Sequence, residues 1–95
     1  MIKSGAHRIA PREIEEAILE HPSVLEAAVV GRPDQILGEA ICAFVVLKEG
    51  CGCAESELMR LCRSIMPPFK LPKKICFVSD LPKTASGKIK KEELK

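Results

Sequence analysis

Val24-Leu25-Glu26-Ala27-Ala28-Val29-Val30-Gly31-Arg32-Pro33-Asp34-Gln35-Ile36-Leu37-Gly38-Glu39-Ala40-Ile41-Cys42-Ala43-Phe44-Val45-Val46-Leu47 is the stretch that decides the fold. Val24 to Val30 is β-prone and holds the apolar run Ala27 to Val30. Gly31-Arg32-Pro33-Asp34 carries turn chemistry and predicts that the strand ends there. Glu39 to Lys48 predicts a second strand, with Ile41, Ala43, Val45 and Leu47 on one face and Cys42, Phe44 and Val46 on the other. Both faces are apolar, so the strand needs helices over one side and partial cover over the other.

Towards the N-terminus, Pro11 suits the first turn of a helix, and Glu13, Glu15 and Glu16 suit its positive end. Ile14, Ala17 and Ile18 recur at i, i+3, i+4, Ala10 is a weak N-cap, and His21-Pro22 closes the helix. Ile2-Lys3 and Arg8-Ile9 flank Ser4-Gly5-Ala6-His7 and predict two short strands around a glycine-containing turn. Towards the C-terminus, Leu58, Leu61, Cys62 and Ile65 form a helical stripe from about residue 54 to 66, stopped by Pro67-Pro68. Phe69-Lys70-Leu71-Pro72 predicts an extended connector, Ile75 to Val78 a third strand, and Lys90 to Lys95 a short last helix. The fold class is α+β: a small three-stranded sheet covered on one face by helices and preceded by a short N-terminal β-hairpin.

Ninety-five residues form one small domain, with one modest core and no room for a large enclosed active site. The longest apolar run, Ala40 to Leu47, is too short to span a bilayer, and the N-terminus lacks the apolar stretch of a signal peptide; a cytoplasmic protein is expected. Charge is uneven: residues 1 to 69 hold seven Lys/Arg against ten acids, and residues 70 to 95 hold eight Lys against three. The basic end favours anionic partners. Three Phe and no Trp or Tyr leave little to stack bases on, which argues against nucleic acid. Cys42, Cys62 and Cys76 fall in apolar periodic contexts and read as core residues. Cys51-Gly52-Cys53 is CxC, and His7 and His21 lie too far off in sequence to complete a zinc pattern, so no metal site is expected.

Leu81-Pro82-Lys83-Thr84-Ala85-Ser86-Gly87-Lys88-Ile89 places Lys88 on a short, movable polar loop. Its Gly-Lys pair lacks the first glycine and the hydroxyl of a phosphate-binding loop, since Pro82 and Ile89 stand there. Lys88 is therefore either a solvated surface lysine or a point charge delivered to a site built elsewhere, able to bridge two anions.

Several separate stretches together resemble one family. Ile2-Lys3-Ser4-Gly5 with Arg8-Ile9-Ala10-Pro11 and Glu13-Ile14-Glu15 resembles the opening motif of the C-terminal domain of adenylate-forming acyl-CoA synthetases. His21-Pro22-Ser23-Val24, Ala27 to Gly31, Pro33-Asp34 and Gly38-Glu39 resemble its middle, and Phe69 to Pro72 with Leu81 to Ile89 resemble its closing motifs. The resemblance covers essentially the whole chain and implies a two-step ligase. A carboxylic or fatty acid attacks the α-phosphate of ATP to give an acyl adenylate, and the thiol of coenzyme A then displaces AMP. It implies that residues 1–95 are the mobile C-terminal lid of a larger enzyme. Its partner is a large N-terminal domain that selects the acid and holds the Mg²⁺ that accompanies ATP, and the hinge falls just before Met1.

By the same resemblance Lys88 is the catalytic lysine of adenylation and Arg8 contacts ATP phosphates. Ser4, Gly5, Ala6 and His7 line the pantetheine passage for coenzyme A, and Lys3 matches a position that is functional in the plant coumarate ligase branch. Many members carry glycine where Ala6 stands. Some place at Leu37 an arginine that meets the nucleotide phosphate of coenzyme A, a charge that Arg63, Lys70, Lys73 or Lys74 would have to supply here. The isolated lid is expected to be inactive. Two alternatives stay open: a lid that loads a carrier protein, and a non-catalytic binding module with a basic end.

Overall fold

A computed structural model describes residues 1–94 of the chain. Seven elements follow in order: β1 (Ile2–Ser4), β2 (His7–Ile9), α1 (Pro11–Leu19), β3 (Val24–Asp34), β4 (Gly38–Leu47), α2 (Glu55–Ile65) and β5 (Lys74–Phe77), with 3-10 turns at Pro68–Lys70 and Lys91–Leu94. The α+β class and the N-terminal hairpin are as expected. The last helix is a single 3-10 turn, and Lys95, at the end of the span expected for it, lies outside the described residues.

β4 is the organising strand. β3 pairs antiparallel along its whole length, from Val24↔Leu47 to Asp34↔Gly38, with a bulge between Val24 and Glu26 that leaves Leu25 exposed. The opposite edge of β4 is shared. β5 runs parallel beside Cys42 to Val45, and β1 joins antiparallel at Ser4↔Gly38, so five strands form one mixed sheet instead of three beside a separate hairpin. The hairpin is annexed because Ile2 and Ile9, both buried, reach the common core.

The two faces of β4 divide as the alternation predicts. Ile41, Ala43 and Val45 pack with Ile14 and Ile18 of α1 and with Leu58 and Cys62 of α2. On the other face Cys42, Phe44 and Val46 meet Ala28, Val30 and Leu81, with Val78, Ile89 and Leu94 as partial cover. α1 starts at Pro11 with no side-chain cap from Ala10, as that residue's chemistry requires. Its Glu15 accepts the Val29 N–H at 2.8 Å and pairs with Lys91 at 2.7 Å, which blunts the outer edge of β3.

Two local expectations are corrected. Phe69 and Lys70 lie in a 3-10 turn, and only Leu71 and beyond continue extended. The chain does not reverse at Gly31 to Asp34: β3 runs on to Asp34 and the turn falls at residues 35–37. Gly31 serves close approach, because a Cβ there would stand 2.7 Å from Glu39 Oε2. That Glu39 carboxylate accepts the Lys3 N–H at 2.9 Å and so holds the hairpin to β4. Gly31→Ala is expected to displace Glu39 and lower stability by about 0.5–1.5 kcal/mol, the value of the lost hydrogen bond. Urea unfolding measures the loss, and faster exchange of the Lys3 amide identifies its cause.

Candidate functional site

Lys88 stands at the tip of a closed hairpin, a more ordered setting than the free loop its composition suggests. Lys83 and Ile89 form an antiparallel bridge, and the Thr84 N–H donates to the Lys88 carbonyl at 2.7 Å. Gly87, at φ 88°, makes the reversal, and Thr84 Oγ1 accepts the Lys88 N–H at 3.1 Å. The base is pinned: Leu81 is buried, Ile89 packs against the outer core, and Lys83 pairs with Glu26 at 2.7 Å, a contact that raises the Lys83 pKa. Lys88 itself is exposed, and among the described residues its ammonium has no ion-pair or hydrogen-bond partner. The hairpin thus fixes the backbone of Lys88 and leaves its charge unspent.

A second cationic feature lies on the N-terminal hairpin. Lys3 and Arg8 are directly opposed in the β1–β2 register, both exposed, and neither side chain has a partner among the described residues. Like charges facing one another across a ladder repel, and an anion between them would relieve the repulsion.

The turn of that hairpin borders a cleft of about 260 Å³ lined by Ser4, Gly5, His7, Leu37, Phe69 and Lys73 among others. The topology accounts for it, since the hairpin docks on the 35–37 turn and the start of β4, through Gly5 N–H to Leu37 O at 2.8 Å and the Ser4↔Gly38 pair, and the 68–73 connector docks beside it through Lys73 N–H to Ile41 O at 2.8 Å. Gly5 takes φ 60°, and the His7 ring stacks on Phe69 at 4.0 Å and 13°. Ala6 is exposed at the turn.

The structure sorts the cations considered in place of an arginine at Leu37. Lys73 lines the cleft beside Leu37. Lys70 is drawn to Glu13 at 2.5 Å, while Arg63, on α2, and Lys74 do not line the cleft. Sequence reasoning missed Asp34 as the group that holds Leu37 and Lys73 at this cleft, although an aspartate closing a strand before a short turn is a recognisable signal.

Asp34 Oδ1 accepts the N–H groups of Ile36 and Leu37 at 2.9 and 2.8 Å, and Oδ2 pairs with Lys73 at 2.8 Å. The Lys73 hydrogen bond first, then those two amides, lower its pKa from 3.8 to about 2. A folded-state pKa held below the unfolded one gives stability that is complete above about pH 4. Acidification through about pH 2 should therefore open the 35–37 turn, and the Leu37 wall of the cleft with it. Carboxyl titration followed by NMR, read alongside the Ile36 and Leu37 amides, checks this.

Cys42 and Cys62 have thiols pushed up by burial, as core cysteines do. The one metal-competent trio among the described residues lies away from these charged features: His21, Cys53 and Glu57, separated in sequence, have donor atoms within 4.8 Å of one another. Sequence spacing had argued against such a group.

Residues 13–88 match the sequence profile of the AMP-binding enzyme C-terminal domain. The chain belongs to that family. It is 44% identical over 100 residues to the acyl-coenzyme A synthetase ACSM1, mitochondrial, of Homo sapiens, covering all of this chain and 17% of that protein. The crystal structure of the Brucella canis acyl-CoA synthetase superposes with a TM-score of 0.92 at 41% identity, over 99% of this chain and 18% of that one. The ATP-bound RpMatB-BxBclM chimera B1 gives 0.91 at 39% identity, over 97% and 19%. As a member of the acyl-CoA synthetase C-terminal domain family, the chain spans less than a fifth of the length of these relatives. No helix among the described residues is long and apolar enough to cross a membrane.

Proposed function

We propose that residues 1–95 act as the lid of an AMP-forming acid-thiol ligase, closing over a large N-terminal domain that binds ATP and a carboxylic acid. The observation that carries this is the exposed ammonium of Lys88, without a partner among the described residues, on a hairpin whose backbone is fixed at both ends.

In the first half-reaction a carboxylate oxygen attacks the α-phosphorus and pyrophosphate leaves. Both reactants are anions. Lys88 lies between them and offsets the charge that builds on the phosphoryl oxygens, and the Lys3 and Arg8 pair receives ATP phosphates. In the second half-reaction the lid presents the Ser4-Gly5-Ala6-His7 turn. The pantetheine arm passes over the Gly5 backbone, its thiol attacks the acyl carbonyl, and AMP leaves. Lys73 is the cation beside Leu37; it is paired with Asp34 at 2.8 Å and meets a phosphate of coenzyme A by sharing or leaving that carboxylate. That position is where free coenzyme A, unlike the thiol arm of a carrier protein, would bring a nucleotide phosphate. Mg²⁺ takes oxygen ligands, and the trio of His21, Cys53 and Glu57 offers a single carboxylate oxygen beside nitrogen and sulfur, in keeping with an ATP-bound ion held by the large domain. Five unpaired cysteines suit a reducing compartment, in keeping with a cytoplasmic enzyme.

The test is a complementation of parts. The isolated chain, whose site-bordering cleft is about 260 Å³, should release no pyrophosphate from ATP and form no acyl-CoA. The enzyme that contains it should make AMP, pyrophosphate and acyl-CoA in equal amounts. Acyl-CoA production by the chain alone would contradict the proposal.

A further inference from the structure

We infer that His21, Cys53 and Glu57 form a three-donor site for zinc at the junction of α1 and α2, independent of the charged features of the lid. His21 follows the end of α1, Cys53 stands two residues ahead of α2, and Glu57 lies in the first turn of α2, so that both helices contribute. Cys53 Sγ is 3.5 Å from His21 Nε2, and His21 Nε2 is 3.6 Å from Glu57 Oε2. A tetrahedral zinc, with bonds of about 2.3 Å to sulfur and about 2.0–2.1 Å to nitrogen or oxygen, holds such donors roughly 3.3–3.6 Å apart. Two of the three spacings are therefore close to those that zinc imposes, and the third, Cys53 to Glu57, is within 4.8 Å. One nitrogen, one sulfur and one carboxylate oxygen also make the donor set zinc accepts and magnesium refuses. Water completes the fourth position.

His21 Nδ1 accepts the Ser23 N–H at 3.1 Å, so the neutral metal-free ring carries its proton on Nε2, directed at Cys53 and Glu57. Zinc replaces that Nε2 proton and the Cys53 thiol proton. One proton returns to the ring at Nδ1 and one leaves to solvent, so loading breaks the Ser23 hydrogen bond: Nδ1–H and the Ser23 N–H are then both donors, and the amide must turn to another acceptor. This marks the site spectroscopically, because the Ser23 amide must shift although serine ligates nothing.

The 95-residue chain, with all cysteines reduced, is titrated with Co²⁺ and then with Zn²⁺. Expected are one equivalent of Co²⁺ with a thiolate charge-transfer band and tetrahedral d–d absorption, displacement by Zn²⁺, a rise in Tm with zinc, and a shift of the Ser23 amide. Cys53→Ser should abolish the charge-transfer band. His21→Ala and Glu57→Gln should each weaken binding by more than the roughly 10–100-fold that loss of a mere supporting contact costs. Cys51→Ser should leave affinity within about twofold. Binding that survives His21→Ala and disappears in Cys51→Ser would be a two-thiol chelate and would overturn the inference. So would an unmoved Ser23 amide in the wild-type chain, a readout that does not depend on any variant folding.

Discussion

Lys88→Ala, introduced into the enzyme that carries this lid, should lower ATP–pyrophosphate exchange by on the order of 10²-fold or more. The basis is electrostatic. The carboxylate and the α-phosphate repel as they approach, and an ammonium held between them in a water-poor, closed site acts where the dielectric is low. The truncation should not disturb the fold, because the Lys88 side chain has no partner to lose among the described residues, while the Thr84 contacts are made by its backbone. An unchanged Tm together with lost exchange is thus the expected signature. Lys83→Ala is the matched control. It removes a lysine five residues away that is committed to Glu26, and it should affect stability more than rate.

Gly5→Val should do the converse, reducing thioester formation from a supplied acyl adenylate by about 10²-fold with pyrophosphate exchange largely kept. Gly5 sits at φ 60°, where a β-branched residue carries roughly 1–3 kcal/mol of strain. The nearest atom to a Cβ there is Leu37 Cδ2 at 3.9 Å, so this chain has room for it. The cost falls on the cleft, where the new methyl groups occupy the path of the thiol arm and the turn shifts against Leu37. Lys88 is insulated from the change, since its hairpin packs through Leu81 and Ile89 on the outer face of the sheet, whereas Gly5 docks on the 35–37 turn. Measuring both half-reactions on one preparation decides the outcome.

How much of this could be read from the sequence depends on whether the cause is local. The two faces of β4 were legible because alternation along one strand reports directly which residues share a side. Lys88 was legible as a charge on a polar turn because the chemistry of Thr84, Ser86 and Gly87 is carried within a few residues. Gly31 misled: its composition with Pro33 reads as a turn, yet it is glycine for the sake of Glu39, a neighbour created only by strand pairing. Annexation of the N-terminal hairpin by β4 rests on Ser4↔Gly38, a contact between residues 34 apart in sequence. Which lysine lines the cleft was illegible for the same reason, because Glu13 draws Lys70 away while Asp34 and the edge of β4 hold Lys73 beside Leu37. His21 and Cys53 meet only because α1 and α2 pack on one face of the sheet.

The most direct test is to assay Lys88→Ala and Gly5→Val enzymes side by side in the two separated half-reactions. Crossed deficits are predicted, with Lys88→Ala failing in pyrophosphate exchange yet converting pre-formed adenylate, and Gly5→Val the reverse. Deficits that fall together in both half-reactions would contradict the division of labour between the two hairpins.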